Sequence, residues 1–360
     1  MQARIIRKVL NFRFDAQTSR GTYRRRIIHL LELTDRDGRR GLGECAPLPG
    51  LSIDDLDDYE QRLTHLARQI ERGAPPDYDT MRTLPSMICG LEGAMLHLQH
   101  PDLCFFDTPF TRGQVGITIN GLVWMGDYEL MHRRLTEKIA QGFTCIKIKI
   151  GALDFRQELA LIRSLRTDFG PHLLTIRVDA NGAYDQDSVM DVLEQLAPYD
   201  LHSIEQPVRA GQPELMARVA RSSPVPVALD EELIANVTTE QKHRLLEQVR
   251  PQYLVLKPSL HGGLIFTQEW IDLAGQYGIG CWLTSALESN IGLNLIAQFC
   301  ARLAPSLPQG LGTGQLYSNN INYPLRLDGE HLFFEPAAVE QIDFAGFLQD
   351  ATVIYPGAQA

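Results

Sequence analysis

Hydrophobic and polar positions change rhythm once along this chain, near residue 115. Before that point, Arg24 to Thr34 (RRRIIHLLELT) has the composition of a strand. Asp35-Arg36-Asp37-Gly38 supplies turn chemistry, and Arg39 to Ala46 returns as a second strand. Pro47-Leu48-Pro49-Gly50 breaks the pattern. Ser52 then stands as the N-cap of a helix running to about Arg72, which Gly73 to Pro76 ends. A helix rich in small residues follows, from Ser86 to Gln99. These elements predict an α+β domain over residues 1–114.

Beyond residue 115, short β-rich runs alternate with amphipathic stretches. The strand candidates are Val115–Asn120, Thr144–Ile150, Leu174–Asp179, Leu201–Glu205, Val225–Leu229, Tyr253–Lys257, Gly280–Thr284 and Gly310–Thr313. Helical periodicity lies between them, as in Phe155–Arg166, Ser188–Leu196, Glu240–Gln248 and Phe266–Tyr277. Strands alternating with helices predict parallel βαβ units closing into an α/β barrel over 115–319. An open doubly wound sheet is the other arrangement, and it lacks the glycine-rich phosphate loop that such sheets carry after a strand. From 320 to 360 the alternation stops, and this segment is expected to pack back on the first domain.

The length of 360 residues suits a barrel plus a smaller domain. A net charge of -10 argues against non-specific binding to nucleic acid or to anionic membranes. It also requires local positive charge wherever an anionic substrate binds. The six cysteines show no CxxC spacing, the N-terminal run MQARIIRKVLNF is not followed by a long apolar stretch, and no apolar run has membrane-spanning length. A cytoplasmic enzyme is the expectation.

Charge falls at a recurring place. Lys149, Asp179, Glu205, Asp230 and Lys257 stand at the ends of successive strand candidates, about 25 to 30 residues apart, the length of one βα unit. In a barrel, those ends form one mouth, so five chain-distant ionisable groups converge. Any one of the acids alone can be an ordinary helix cap. Three together repel unless a cation joins them. Mg²⁺, a hard dication, suits Asp179, Glu205 and Asp230 and leaves positions for a substrate oxygen; Mn²⁺ can substitute. In Ile146-Lys147-Ile148-Lys149-Ile150, both lysines point to one face. On a lone strand that face is solvated, but in a barrel strand it is the interior, where Lys149 can serve as a base. Lys257, on the sixth strand, lies across from the second. A carboxylate on the metal has a more acidic alpha C–H, and the cations around it stabilise the enediolate that forms. Asn181, Glu231 and Arg177 are expected to orient the metal ligands from behind.

Lys147-x-Lys149, Asp179, Glu205, Asp230 and Lys257 together resemble the muconate-lactonizing subgroup of the enolase superfamily in identity, order and spacing, over nearly the whole chain. That likeness implies a capping domain on a (β/α)7β barrel. Gly43-Glu44-Cys45-Ala46-Pro47-Leu48-Pro49, Ile119-Asn120-Gly121, Thr284 to Gly292 and Gly312-Thr313-Gly314-Gln315-Leu316 are most similar to the o-succinylbenzoate synthase family within it. The resemblance implies syn dehydration of 2-succinyl-6-hydroxy-2,4-cyclohexadiene-1-carboxylate to 2-succinylbenzoate in menaquinone synthesis. Lys149 would be base and then acid, Lys257 would stabilise the enediolate from the other face, and Lys147 would support Lys149. Backbone near Ser289 and Gly312 would seat the succinyl tail, and loops near 18–25 and 46–52 would close over the substrate.

Other readings stay open at this level. An N-acylamino acid racemase needs the same two lysines. Muconate cycloisomerase matches less well around 284–292, and Gly312-Thr313-Gly314 lacks the Asp-x-Asp of dipeptide epimerases. A non-catalytic barrel that binds a small acid would be expected to have lost a lysine or a ligand. Glu232 and Arg24-Arg25-Arg26 read as solvated surface, His261 as a capping or structural group, and Cys281 and Trp282 as barrel packing.

Overall fold

The computed structural model describes residues 1–18, 21–74 and 76–358. Its first domain is an antiparallel sheet under two helices. Strands β1 (Gln2–Thr18), β2 (Gly21–Thr34) and β3 (Arg40–Cys45) form a meander in which Ile5 faces Leu31 and Leu31 faces Gly43. The long first strand is not among the predicted elements, because Arg4, Arg7 and Lys8 interrupt its apolar alternation. Ile5 and Ile6 are nevertheless buried, and Lys8 is buried beside Asp350.

The helices are Tyr59–Glu71 and Pro85–Gln99. Ser52 does not cap the first. Its hydroxyl accepts the Leu48 N–H at 2.7 Å, closing a turn, and two further turns precede the helix. The second helix lies directly on β3. A Cβ at Gly43 would fall 1.8 Å from the Gly90 carbonyl, so glycine sets how closely helix and strand approach.

The chain then passes through β4 (Ile117–Thr118) into the barrel: β5 (Gly121–Val123), β6 (Cys145–Lys149), β7 (Thr175–Asp179), β8 (Ser203–Glu205), β9 (Val227–Leu229), β10 (Tyr253–Leu256) and β11 (Gly280–Leu283). These seven are parallel and paired in chain order, and helices follow each of them. The eighth position is held by parallel bridges alone, Gly310 to Thr284 and Gln309 to Ile119. The expected strand Gly310–Thr313 is thus reduced. A Cβ at Gly310 would stand 2.2 Å from Thr284 Oγ1, so the chain closes the ring there only as bare backbone. The expected first strand Val115–Asn120 falls short of the ring strand, which starts just after it. Ile117–Thr118 pairs outside the barrel, and Gly121–Val123 begins the ring. Seven βα units and a closing β segment make a (β/α)7β barrel. Inside it, alternation turns Ile146, Ile148 and Ile150 toward the helices and Lys147 and Lys149 inward.

After the barrel, β12 (Leu325–Asp328) and β13 (His331–Phe334) form a hairpin, and β13 pairs with β4. Strand β14 (Thr352–Tyr355) adds to the free edge of β1, giving the sheet order β14-β1-β2-β3. The Glu71 carboxylate gathers both chain ends: it accepts from Ala3 N at 3.2 Å, Ala358 N at 3.0 Å and the Tyr355 hydroxyl at 2.6 Å. All six cysteines are free thiols. Among the described residues, no helix is long and apolar enough to cross a membrane.

Candidate active site

Parallel register does the first work of assembly. Lys149 stands opposite Asp179 and Asp179 opposite Glu205, while Lys147, Arg177 and Ser203 form the row beneath. Asp230 and Lys257 follow the ends of β9 and β10. All five strand-end residues singled out in the sequence meet in one cluster. Lys147 Nζ lies 2.7 Å from both Glu205 oxygens and 2.8 Å from Asp179 Oδ2. Lys149 Nζ donates to Asp179 Oδ2 at 2.5 Å and to Asn181 Oδ1 at 2.8 Å. Lys257 Nζ donates to Asp230 Oδ2 at 2.5 Å.

Burial and mutual charge decide the protonation of this cluster. Burial alone favours neutral Lys147, but Asp179 and Glu205 outweigh it and hold the ammonium charged. Lys257 behaves likewise, with Asp230 opposing burial. Asp179 is held well below the usual carboxylate range: Lys147 and Lys149 overcome its burial. Glu205 goes the other way, pushed up to about 8 by burial and then by Asp179.

The supporting residues are tied to the same strand ends. Asn181 adopts a left-handed backbone, φ 45°, which sends its amide from Lys149 to Glu231 Oε1 at 3.0 Å. Gln206, also left-handed, accepts the N–H groups of Asp230 and Glu232 through Oε1. It thereby fixes the turn that presents Asp230. Glu232 is not a solvated acid. It is 4% exposed and accepts the Gly211 N–H, locking that loop to the barrel. His261 Nδ1 accepts the Lys257 N–H at 3.1 Å, a structural use of the ring. Arg177 lies under the cluster with its guanidinium 4.0 Å from the Trp282 ring and Nη1 on the Pro308 carbonyl.

A cavity of about 460 Å³ opens over Lys147, Lys149 and Lys257. Gly312 lines it, but Ser289 does not. Ser289 is fully buried, and its hydroxyl caps the helix Asn290–Leu303 and bonds the Glu44 carboxylate of the cap. The cap contributes Phe14, Tyr23, Leu48 and Leu51 to the cavity wall, from or beside the two expected loops. Residues 19 and 20 of the first loop lie outside the described residues. Arg26 departs from its solvated neighbours. It is buried and donates to the carbonyls of Pro47 at 2.5 Å and Ala46 at 2.7 Å, bracing the second loop. Sequence reasoning gave no role to Asn120, Trp124 or Arg134, which also line the cavity. Asn120 is 4% exposed and its Oδ1 has no partner among the described residues, a buried acceptor turned toward ligand space. The sequence signal for Asn120 was its place in Ile119-Asn120-Gly121, one of the stretches that carry the resemblance.

The donor set suits a hard dication: three buried carboxylates, of which Asp230 Oδ1 has no hydrogen-bond partner among the described residues and Glu205 is destabilised by burial and by its acidic neighbour. Among the described residues, no three acidic or cysteine or histidine side chains stand as a ready-made cage. The three ammonium groups occupy the spaces between the acids. Such a centre can move a proton on a substrate held between Lys149 and Lys257 and can neutralise the charge that this leaves.

Residues 130–337 match the family described as "Enolase C-terminal domain-like". The o-succinylbenzoate synthase of Desulfotalea psychrophila is 42% identical, over 90% of this chain and 96% of that one. The crystal structure of MenC from Desulfotalea psychrophila superposes with a TM-score of 0.81 at 39% identity, covering 92% of this chain and 99% of that chain. A muconate lactonizing enzyme from Pseudomonas fluorescens shares the fold alone, with a TM-score of 0.78, 20% identity, and 96% and 97% coverage. The chain belongs to the enolase superfamily and, within it, to the o-succinylbenzoate synthase family.

Proposed function

We propose that this chain is a lyase that removes water from 2-succinyl-6-hydroxy-2,4-cyclohexadiene-1-carboxylate to give 2-succinylbenzoate, a step of menaquinone synthesis. The 42% identity to an o-succinylbenzoate synthase along almost the whole of both chains carries this reading. The superfamily generally uses Mg²⁺. In this chain Asp179, Glu205 and Asp230 would hold it, with Asn181 and Glu231 steadying them; Arg177, expected to do the same, instead bonds the Pro308 carbonyl and stacks on Trp282, adding only its charge beneath Glu205. The ion, when bound, would acidify the alpha C–H of the substrate carboxylate and offset developing negative charge.

The residues then divide the work. Lys149, as the neutral amine, takes the proton alpha to the carboxylate. The electron pair left behind is first held on the carboxylate as an enediolate; it then forms the new C=C as the beta C–O bond breaks, and the Lys149 ammonium returns the proton to the departing hydroxyl, which leaves as water. One face of the ring suffices, so the elimination is syn. Lys257 stays charged on the opposite face and stabilises the enediolate. Lys147, bonded to two carboxylates, keeps positive charge beneath Lys149.

The same pair of opposed lysines also serves a racemase acting on N-acylamino acids. Ultraviolet loss of the cyclohexadiene, measured with purified protein and Mg²⁺ beside racemisation of an N-succinyl amino acid, separates the two. Fast dehydration with slow racemisation supports the synthase reading. The reverse ratio would reassign the function to a racemase on the same fold.

A further inference from the structure

The cavity wall holds a cation that this chemistry does not use. Arg134 extends from the helix Tyr128–Ala140 and donates through Nη1 to the carbonyls of Trp124, at 3.1 Å, and Met125, at 2.9 Å. Both carbonyls lie just past the end of β5, so the guanidinium is fixed at the first strand's mouth. Its Cζ is 5.5 Å from the Phe14 ring of the cap, and Phe14 meets Trp124 edge-on at 6.0 Å. The group is therefore oriented by both domains. Its Nε and Nη2 donate to no acceptor among the described residues, and it forms no ion pair there.

An arginine held this way is an unusual expense of positive charge in a chain of net charge -10. Two carboxylates, Glu137 and Glu231, share the cavity wall and repel an anionic ligand. Lys138, one turn along, is occupied by Gln141 Oε1 at 3.2 Å and by the Phe143 ring. The lysines of the reaction centre are engaged with the acids. A free planar fork in a partly desolvated wall matches a carboxylate through two parallel hydrogen bonds.

We infer that Arg134 is the positioning residue that binds the distal carboxylate of the succinyl arm, and that it sets a preference for dicarboxylate over monocarboxylate substrates. This rests on the function proposed above, whose substrate carries one carboxylate at the reacting carbon and another at the end of that arm. Anchoring the far end adds binding energy shared by bound substrate and transition state, while the metal and the lysines orient the reacting carbon.

The test compares wild type, Arg134→Met and Arg134→Lys. Calorimetry gives the affinity of 2-succinylbenzoate and of its derivative with the succinyl carboxylate converted to an amide, and steady-state kinetics gives KM and kcat for dehydration. Arg134→Met should weaken the diacid by about 10- to 100-fold and the amide by less than about twofold, with Arg134→Lys between. KM should rise by a similar factor while kcat falls by less than about threefold. Equal weakening of diacid and amide, or wild-type affinity for the diacid, overturns the assignment. If Arg134→Met does not fold, Arg134→Lys and Arg134→Gln carry the same comparison. Wild-type protein that binds both ligands but does not dehydrate sinks the proposed function, while the affinity ratio still judges Arg134.

Discussion

Lys149 and Lys257 approach the same cluster from different strands and touch different acids, in keeping with the separate tasks proposed for them. Lys149→Ala and Lys257→Ala should each lower the dehydration rate by at least about a thousandfold with an unchanged circular dichroism spectrum. Near-wild-type turnover in either variant excludes the two-lysine mechanism. Away from the site, Lys242 is buried against the rings of Phe266, at 5.4 Å, and Trp270, at 5.1 Å. Burial lowers it to about 8, against the pull of Glu269 and aided by Arg82. Its folded value thus lies below its unfolded one, and between about pH 8 and 10.5 the unfolded chain binds the extra proton. Stability relative to Lys242→Met should rise with pH across that window and be flat below it; urea titrations at pH 7, 9 and 10 would reveal the slope or its absence. Single residues were also where sequence reading fell short. Arg26 and Glu232 carry charge and were placed outside, yet each finds buried backbone partners. Ser289 was placed at the substrate, yet it serves a helix end and Glu44. Local pattern states which groups a residue offers. It does not state which carbonyl or N–H the fold will bring to it.

Elements were more legible where they repeat. Each barrel strand is a short apolar run ending in a turn, followed by an amphipathic helix, and this unit leaves the same imprint seven times. The spacing of Lys149, Asp179, Glu205, Asp230 and Lys257 could be read because parallel register converts equal chain intervals into one level of the barrel. The first strand and the closing segment left weaker marks. In β1, basic residues blur the alternation, and at Gly310 the glycines carry no side chain with which to signal a strand. The glycine contact between β3 and the helix Pro85–Gln99 makes a sharp forecast. Gly43→Ala should destabilise the cap by about 1–3 kcal/mol, read as a lower urea midpoint, because its Cβ has no room beside Gly90. Glu44 joins this strand to the barrel by accepting from Ser289 N, at 2.9 Å, and Gly292 N, at 3.0 Å. Glu44→Ala leaves those buried donors unpaired and should cost about 2 kcal/mol; an unchanged midpoint would mean that the two domains do not depend on this bond.

At the scale of the whole molecule, the metal site proposed at the mouth would couple metal to stability. A dication that binds the folded cluster and not the unfolded chain raises the unfolding temperature by mass action. Addition of Mg²⁺ or Mn²⁺ should raise that temperature, a chelator should abolish both the shift and the turnover, and Asp230→Asn should weaken both responses. Full activity in chelator-treated protein, dialysed free of metal, refutes the assignment of the three carboxylates. The cap's own sheet is completed late in the chain: β14 lies on β1, and Glu71 clasps Ala3, Tyr355 and Ala358. This has a consequence for synthesis. A ribosome makes residues 352–355 after every segment they pair with, so a nascent chain can form the barrel while β1 still has an open edge. The charged groups of the mouth can then assemble before the sheet above them is sealed, and synthesis of β14, rather than barrel folding, sets the moment at which the sheet is complete.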